Sequence, residues 1–188
     1  MAFYLVIEED AAKRLFRHLT PKKHQAYIVG LVNRMQEKLG HWLRGQLLLM
    51  LIVGLLTYVM LLVMGVEYPL VLGVFAGFAE LVPYAGPIIA AIPAIVIAFV
   101  SSPVKAVIVA LLYFGIQQLE NTVLTPKIMQ KSVGLNPVIS LMVLLIGFHA
   151  APLFGMPEFV GAILAIPVTT VLSVGLRDVV DYYDQKAR

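Results

Sequence analysis

This chain is expected to fold as an all-α, polytopic transmembrane helical bundle, with kinked or re-entrant helices and a cytoplasmic amphipathic helix before the first span. Three observations predict it. Of the 188 residues 60% are hydrophobic and only 13% charged, and the mean hydropathy is +0.90, far from the mix of an ordinary soluble domain. Between Gly45 and Leu176 only seven side chains carry charge (Glu67, Glu80, Lys105, Glu120, Lys127, Lys131 and Glu158), so a hydrocarbon core of about 30 Å can be crossed repeatedly by helices of about 20 residues. The strict alternation of a β-barrel is absent, and helices satisfy their own backbone groups in lipid.

The elements follow in order. Met1 to Ile7 is apolar but too short to span, lacks the features of a signal peptide, and reads as the tail of a longer helix. Eight of the fourteen Lys and Arg lie between Lys13 and Arg44. By the positive-inside rule that segment is cytoplasmic, and because it adjoins a span no nucleic-acid partner is expected. Thr20 and Pro21 suit the cap and first position of a helix, along which Ile28, Leu31, Val32, Met35, Leu39, Trp42 and Leu43 recur at helical spacing. This amphipathic helix lies on the membrane face or packs on a partner, with Trp42 at the water boundary. Residues 1–45 thus form an N-terminal region, 46–176 the membrane domain and 177–188 a charged tail.

Within the membrane domain Gln46 to Val66 is the clearest span. Pro69 to Val100 would make a straight helix of roughly 48 Å at about 1.5 Å per residue, too long for the bilayer. Pro83, Gly86 and Pro87 mark its break, since proline lacks a backbone donor and crowds the preceding turn. Pro103 to Gln118 is a further span, Glu120 to Asn136 a polar connection, and Pro137 to Leu176 a second overlong region broken around Pro152 to Gly161. A shift of 74 residues lays Leu70, Gly73, Pro83, Ile92 and Pro93 onto Leu144, Gly147, Pro157, Ile166 and Pro167, within nine identities in all. Paired interruptions of this kind point to a midplane binding site in secondary transporters; two independently kinked helices are the plainer alternative.

Few residues are equipped for chemistry. Glu80 follows an eleven-residue apolar stretch, where an ionisable group costs a few kcal/mol on insertion scales, roughly 2.5–3.5 at a helix centre. With Tyr84 and the carbonyls freed by Pro83 and Pro87 it suits a proton, a cation or a small polar solute; otherwise it marks a helix end at the headgroups. Gln117, Gln118, Glu120 and Asn121 either line a solute path or form a helix end entering water, with Gln117 and Asn121 on one face. Lys127 and Lys131 suit an anionic group or a solvated face. His149 and Glu158 flank the second break as a conceivable proton relay, and Thr169 and Thr170 are expected to bond back to their own helix. Gly73 and Gly77 form a GxxxG pattern for close helix contact within or between subunits.

No enzyme is expected. The chain has no cysteine, no HExxH, no Walker A lysine and no GxSxG elbow, so neither cofactor nor metal is implied and nothing here hydrolyses a nucleotide to drive transport.

The stretches ELVPYAGPIIAAIPAIVIAF (Glu80 to Phe99), QQLENTVLTPKIMQKSVGLNPVISLMVLLIG (Gln117 to Gly147) and AILAIPVTTVLSV (Ala162 to Val174), preceded by LRGQLLL (Leu43 to Leu49), resemble the C-terminal half of the autoinducer-2 exporter family over nearly the whole chain. The resemblance implies a multi-helix permease of the bacterial inner membrane, assembled as a homo-oligomer, a pentamer. It implies export of the quorum-sensing furanone autoinducer-2 or a similar small polar solute, or else sodium/proton antiport. Carried over by position, the shared motif residues are Glu80, Pro83, Tyr84, Gly86 and Pro87, then Gln118, Glu120, Asn121, Pro126, Lys127, Gly134 and Pro137, and finally Pro167. Gln130 stands where glycine is common, and HAAPLFGMPEFVG is longer than the usual loop. Family members have further spans before the basic helix, so a shortened chain acting as a non-transporting scaffold is the third alternative. The expected pathway residues are Glu80, Pro83, Tyr84, Gly86, Pro87, Gln118, Glu120, Asn121 and Lys127.

Overall fold

The structure, a computed structural model, describes residues 25–129 and 137–187. Every regular element among them is a helix. Helix α1 (Gln25–Val63) contains no proline and runs unbroken through the boundary expected at residue 45. The predicted cap at Thr20 and Pro21 lies outside the described residues. Gly65 and Tyr68 turn the chain with positive φ angles of 61° and 56°, and the Gly65 carbonyl accepts a 3.2 Å hydrogen bond from Lys105 Nζ.

Pro69 then opens α2 (Pro69–Ala79), whose 11 residues rise only about 16 Å, too little to cross a bilayer. Helix α3 (Ala85–Ser101) accommodates Pro93 in its interior, and α4 (Pro103–Leu119) begins with the proline that its missing donor suits to that position. The polar connection expected from Glu120 onward is corrected by the structure: the chain stays helical through a π-helical turn (Glu120–Leu124) and α5 (Thr125–Met129). Pro126 explains the widened turn, because it has no N–H for the carbonyl four residues back and its ring crowds that carbonyl. Polarity misled the sequence reading because Glu120 points inward and so does not mark an exit to water. Lys131 and the rest of the connection lie outside the described residues.

Helix α6 (Pro137–Ala150), a 3-10 turn (Ala151–Phe154) and α7 (Glu158–Ala187) complete the described chain. The second break falls at residues 151–157, with Gly161 already inside α7, and the expected charged tail continues α7 as helix. Three helices, Val29–Val63, Pro103–Met129 and Glu158–Gly175, are long and apolar enough to cross a membrane; Pro69–Ala79, Ala85–Ser101 and Ile139–Phe154 are shorter apolar helices.

The burial pattern is inverted relative to a water-soluble domain. Leu51, Leu55, Val71, Phe78, Ile88, Phe99, Leu111 and Phe114 are exposed, while Gln46, Thr57, Glu80, Glu120 and Thr170 are buried. Lipid is the solvent that makes this favourable, since apolar side chains lose nothing by facing it and polar groups must find partners inside.

One compact unit takes in Arg44–Gln130 and Asn136–Leu141, and the rest of the chain forms a second. In the first, α1 crosses α2 at glycines: a Cβ on Gly73 would stand 2.7 Å from Tyr58 Cβ and 2.9 Å from the Gly54 carbonyl, and one on Gly77 2.7 Å from the Met50 carbonyl. The GxxxG pair therefore serves contact within the chain. On α3, Ala90, Ala94 and Ala98 have no exposed surface and cluster with Ala106, Val109 and Tyr113 of α4. In the second unit Gly147 of α6 meets α7, where a Cβ would stand 2.5 Å from the Gly161 carbonyl. The order helix, proline-bearing turn, helix with internal proline thus occurs in both regions paired by the 74-residue shift, with Pro83 and Pro93 in one and Pro157 and Pro167 in the other.

Candidate functional site

The site grows from the turn between α2 and α3. Pro83 cannot donate to the Ala79 carbonyl, which instead accepts from Val82 N at 3.0 Å, and the Pro83 carbonyl, left by Pro87, accepts from Ala85 N at 2.8 Å. Each carbonyl freed by the two prolines thus accepts one local hydrogen bond, which leaves its second lone pair for a further donor. Gly86 N returns to the Val82 carbonyl at 2.8 Å. Gly86 is buried, with the Ala79 and Glu80 backbone in the space a side chain would need. Tyr84, the last residue of the turn, sits at φ 65° and ψ −45°, a strained setting for a residue with a Cβ.

This geometry drives Glu80 inward. It is 1% exposed, its backbone carbonyl accepts a 2.7 Å hydrogen bond from Gln46 Nε2 of α1, and its side-chain Oε2 is buried with no partner. From the other side the π turn presents Glu120, 5% exposed, close enough for its carboxyl to interact with that of Glu80. Gln117 Nε2 approaches Glu120 Oε2 at 3.4 Å and Thr125 Oγ1 approaches Oε1 at 3.5 Å. Both are long, so they supply weak compensation for burying charge.

Beside this cluster a groove of about 520 Å³ runs between α3 and α4. Its walls are apolar, including Ile88, Ile92, Ile95 and Phe114, and its polar groups come from Tyr84, Tyr113, Gln117 and Asn121. Tyr113 is buried and its hydroxyl has no partner. Gln117 both lines the groove and donates to Glu120, which joins the groove to the buried carboxyls.

Of the expected pathway residues, Glu80 and Glu120 meet, Tyr84, Pro87 and Asn121 line the groove, and Pro83 and Gly86 shape the turn beside it. Gln118 and Lys127 are exposed and stand outside the groove lining. Gln46, Tyr113 and Thr125 were missed by the sequence reading. A glutamine at the start of an apolar run and a tyrosine in mid-span were the available signals. His149 is exposed and bonds through Nδ1 to its own helix at the Leu145 carbonyl, and Glu158 is also exposed, so no contact links them as a relay. Thr169 and Thr170 do bond back, each at 2.8 Å, to the carbonyls of Ala165 and Ile166. Among the described residues no group of three or more His, Cys, Asp or Glu is placed to hold a metal ion.

Comparison with known proteins gives a consistent picture. A family model described as AI-2E family transporter matches residues 1–181. YrrI of Bacillus subtilis strain 168 is 35% identical over 93% of this chain and 48% of its own length, and YueF of the same organism 29% identical over 95% and 47%. The AI-2 transport protein TqsA of Escherichia coli K12 is 26% identical over 78% of this chain and 41% of its own. The chain spans about half the length of the relatives it matches. No solved structure matches it.

Proposed function

We infer a function from one premise: the chain belongs to the AI-2E family of transporters. The protein is a secondary transporter of the bacterial cytoplasmic membrane that moves a small polar solute through the groove between α3 and α4. The observation that carries this reading is the meeting of that groove with the buried Glu80 and Glu120 through Gln117. Apolar walls exclude water, while Tyr84, Tyr113, Gln117 and Asn121 offer both donors and acceptors. A hydroxylated furanone such as autoinducer-2 matches that lining, and the name of TqsA supports it as the first solute to test.

The two irregular backbone segments, the turn around Tyr84 and the π turn at Glu120, flank the groove and are the natural points of movement for alternating access. A homo-oligomer is part of the proposal, with chemical cross-linking in native membranes as its check.

Flux measured in vesicles carrying the protein tests the reading. With autoinducer-2 as the probe, Gln117→Leu and Glu120→Gln are each expected to lower flux about tenfold, the effect of losing about 1.4 kcal/mol from a buried polar contact. Normal flux in both variants removes these residues from the mechanism. Sodium-dependent proton movement without solute flux replaces the exporter with an antiporter, and vesicles in which nothing moves favour a scaffold.

A further inference from the structure

We propose that the paired carboxyls of Glu80 and Glu120 hold a single proton between them, making this couple the proton-binding site of the protein. The geometry that carries it is the burial of both carboxyls, one from each side of the same cluster, near enough to interact although forty residues apart in sequence. Two ionised carboxylates so placed repel and have no hydrogen to share. Separately, Glu80 Oε2 is fully buried and no donor reaches it. A full charge on that oxygen would be desolvated without compensation, which a proton relieves.

The groups around the couple fit one shared proton better than two bound ones. Gln46 of α1 is occupied with the Glu80 backbone carbonyl, so its amide does not neutralise the side chain. Gln117 and Thr125, from α4 and α5, both approach Glu120 as donors, and Tyr84 stands by the same carboxyl. Glu120 is thus the member supported in its ionised form, and Glu80, with the orphaned oxygen, the member suited to carry the hydrogen. The basic side chains nearest in sequence to these elements, Arg44 and Lys127, are exposed.

Loading consists of one proton arriving from water on a dianionic couple, and unloading returns it. The site deepens the transport reading and rests on it for one consequence: Gln117 contacts both the groove and Glu120, so proton occupancy and the groove lining are coupled. The ligand is the proton itself, with a sodium ion as the competing occupant.

Infrared spectroscopy of the full chain in lipid vesicles decides it, because protonated carboxyls are counted by their carbonyl stretch. At neutral pH the wild-type protein is expected to show one such carbonyl per chain, sensitive to exchange into heavy water and lost on alkaline titration. Glu80→Gln is expected to abolish the band, since the amide donates to the ionised Glu120 in the proton's place, whereas Glu120→Gln leaves the orphaned Glu80 oxygen without a new donor and is expected to keep it. A wild-type count of none or two overturns the proposal, and that reading stands even if a variant fails to fold. A band surviving in Glu80→Gln, or lost in a folded Glu120→Gln, overturns the assignment, and loss of the wild-type band on adding sodium at constant pH assigns the site to the metal ion instead. Since no transported solute is needed, the two failures are separable. One protonated acid in a protein that moves nothing keeps the proton site and removes the transport reading; solute flux without any protonated acid does the reverse.

Discussion

Replacing Gly86 by alanine probes the joint that positions Glu80. A Cβ at this second residue of α3 would lie 2.5 Å from the Ala79 carbonyl carbon and 3.0 Å from the Glu80 nitrogen, and nearer still to the Ala79 oxygen. Carbon atoms rest at about 3.5–4.0 Å from their neighbours, so α3 and the end of α2 must part by about 1 Å. Every atom met is backbone, so no side chain can swing aside. Overpacking of this sort costs about 1–3 kcal/mol, roughly a 5- to 150-fold loss in the ratio of folded to unfolded protein. The 2.7 Å bond from Gln46 to the Glu80 carbonyl would also be lengthened by up to about 1 Å and correspondingly weakened. Equilibrium unfolding in mixed micelles, followed by circular dichroism, measures the loss. Gly115→Ala is the control, because a Cβ there meets no atom within 4 Å and alanine is the better helix former by up to about 1 kcal/mol. If Gly86→Ala proves as stable as Gly115→Ala, the close crossing described here is wrong.

Two further substitutions test the buried polar groups. Gln46→Leu removes the donor to the Glu80 carbonyl and is expected to destabilise by about 1–3 kcal/mol in the same unfolding assay; an unchanged midpoint would mean that the bond contributes nothing. Thr57→Val exchanges a wholly buried hydroxyl with no partner for a methyl group, and the expected outcome is unchanged stability or a gain of up to about 1–2 kcal/mol. A clear loss there would reveal a partner for the Thr57 hydroxyl.

Much of the architecture was legible because the bilayer imposes few solutions. Length against thickness forced the break between Pro69 and Val100, and Pro83 marked it to within a few residues of the observed turn. The errors arose where one residue has two physical meanings. Glu120 and Asn121 read equally as a solute path and as an exit to water, and the structure buries one and exposes the other on a helix that continues. Pro126 was visible in the sequence, but its effect was a widened turn and not a stop. The inward placement of Glu80 needs packing that no periodicity encodes, with Gly86 letting α3 close on the end of α2 beside it. Gln46 escaped for the same reason: its role is fixed by a carbonyl 34 residues away.

The alanines of α3 carry a mechanical consequence. Ala90, Ala94 and Ala98 give that helix a smooth flank against α4, where leucines would have offered interlocking knobs. A flank without knobs resists separation through close backbone approach but offers little friction to gliding along its own axis.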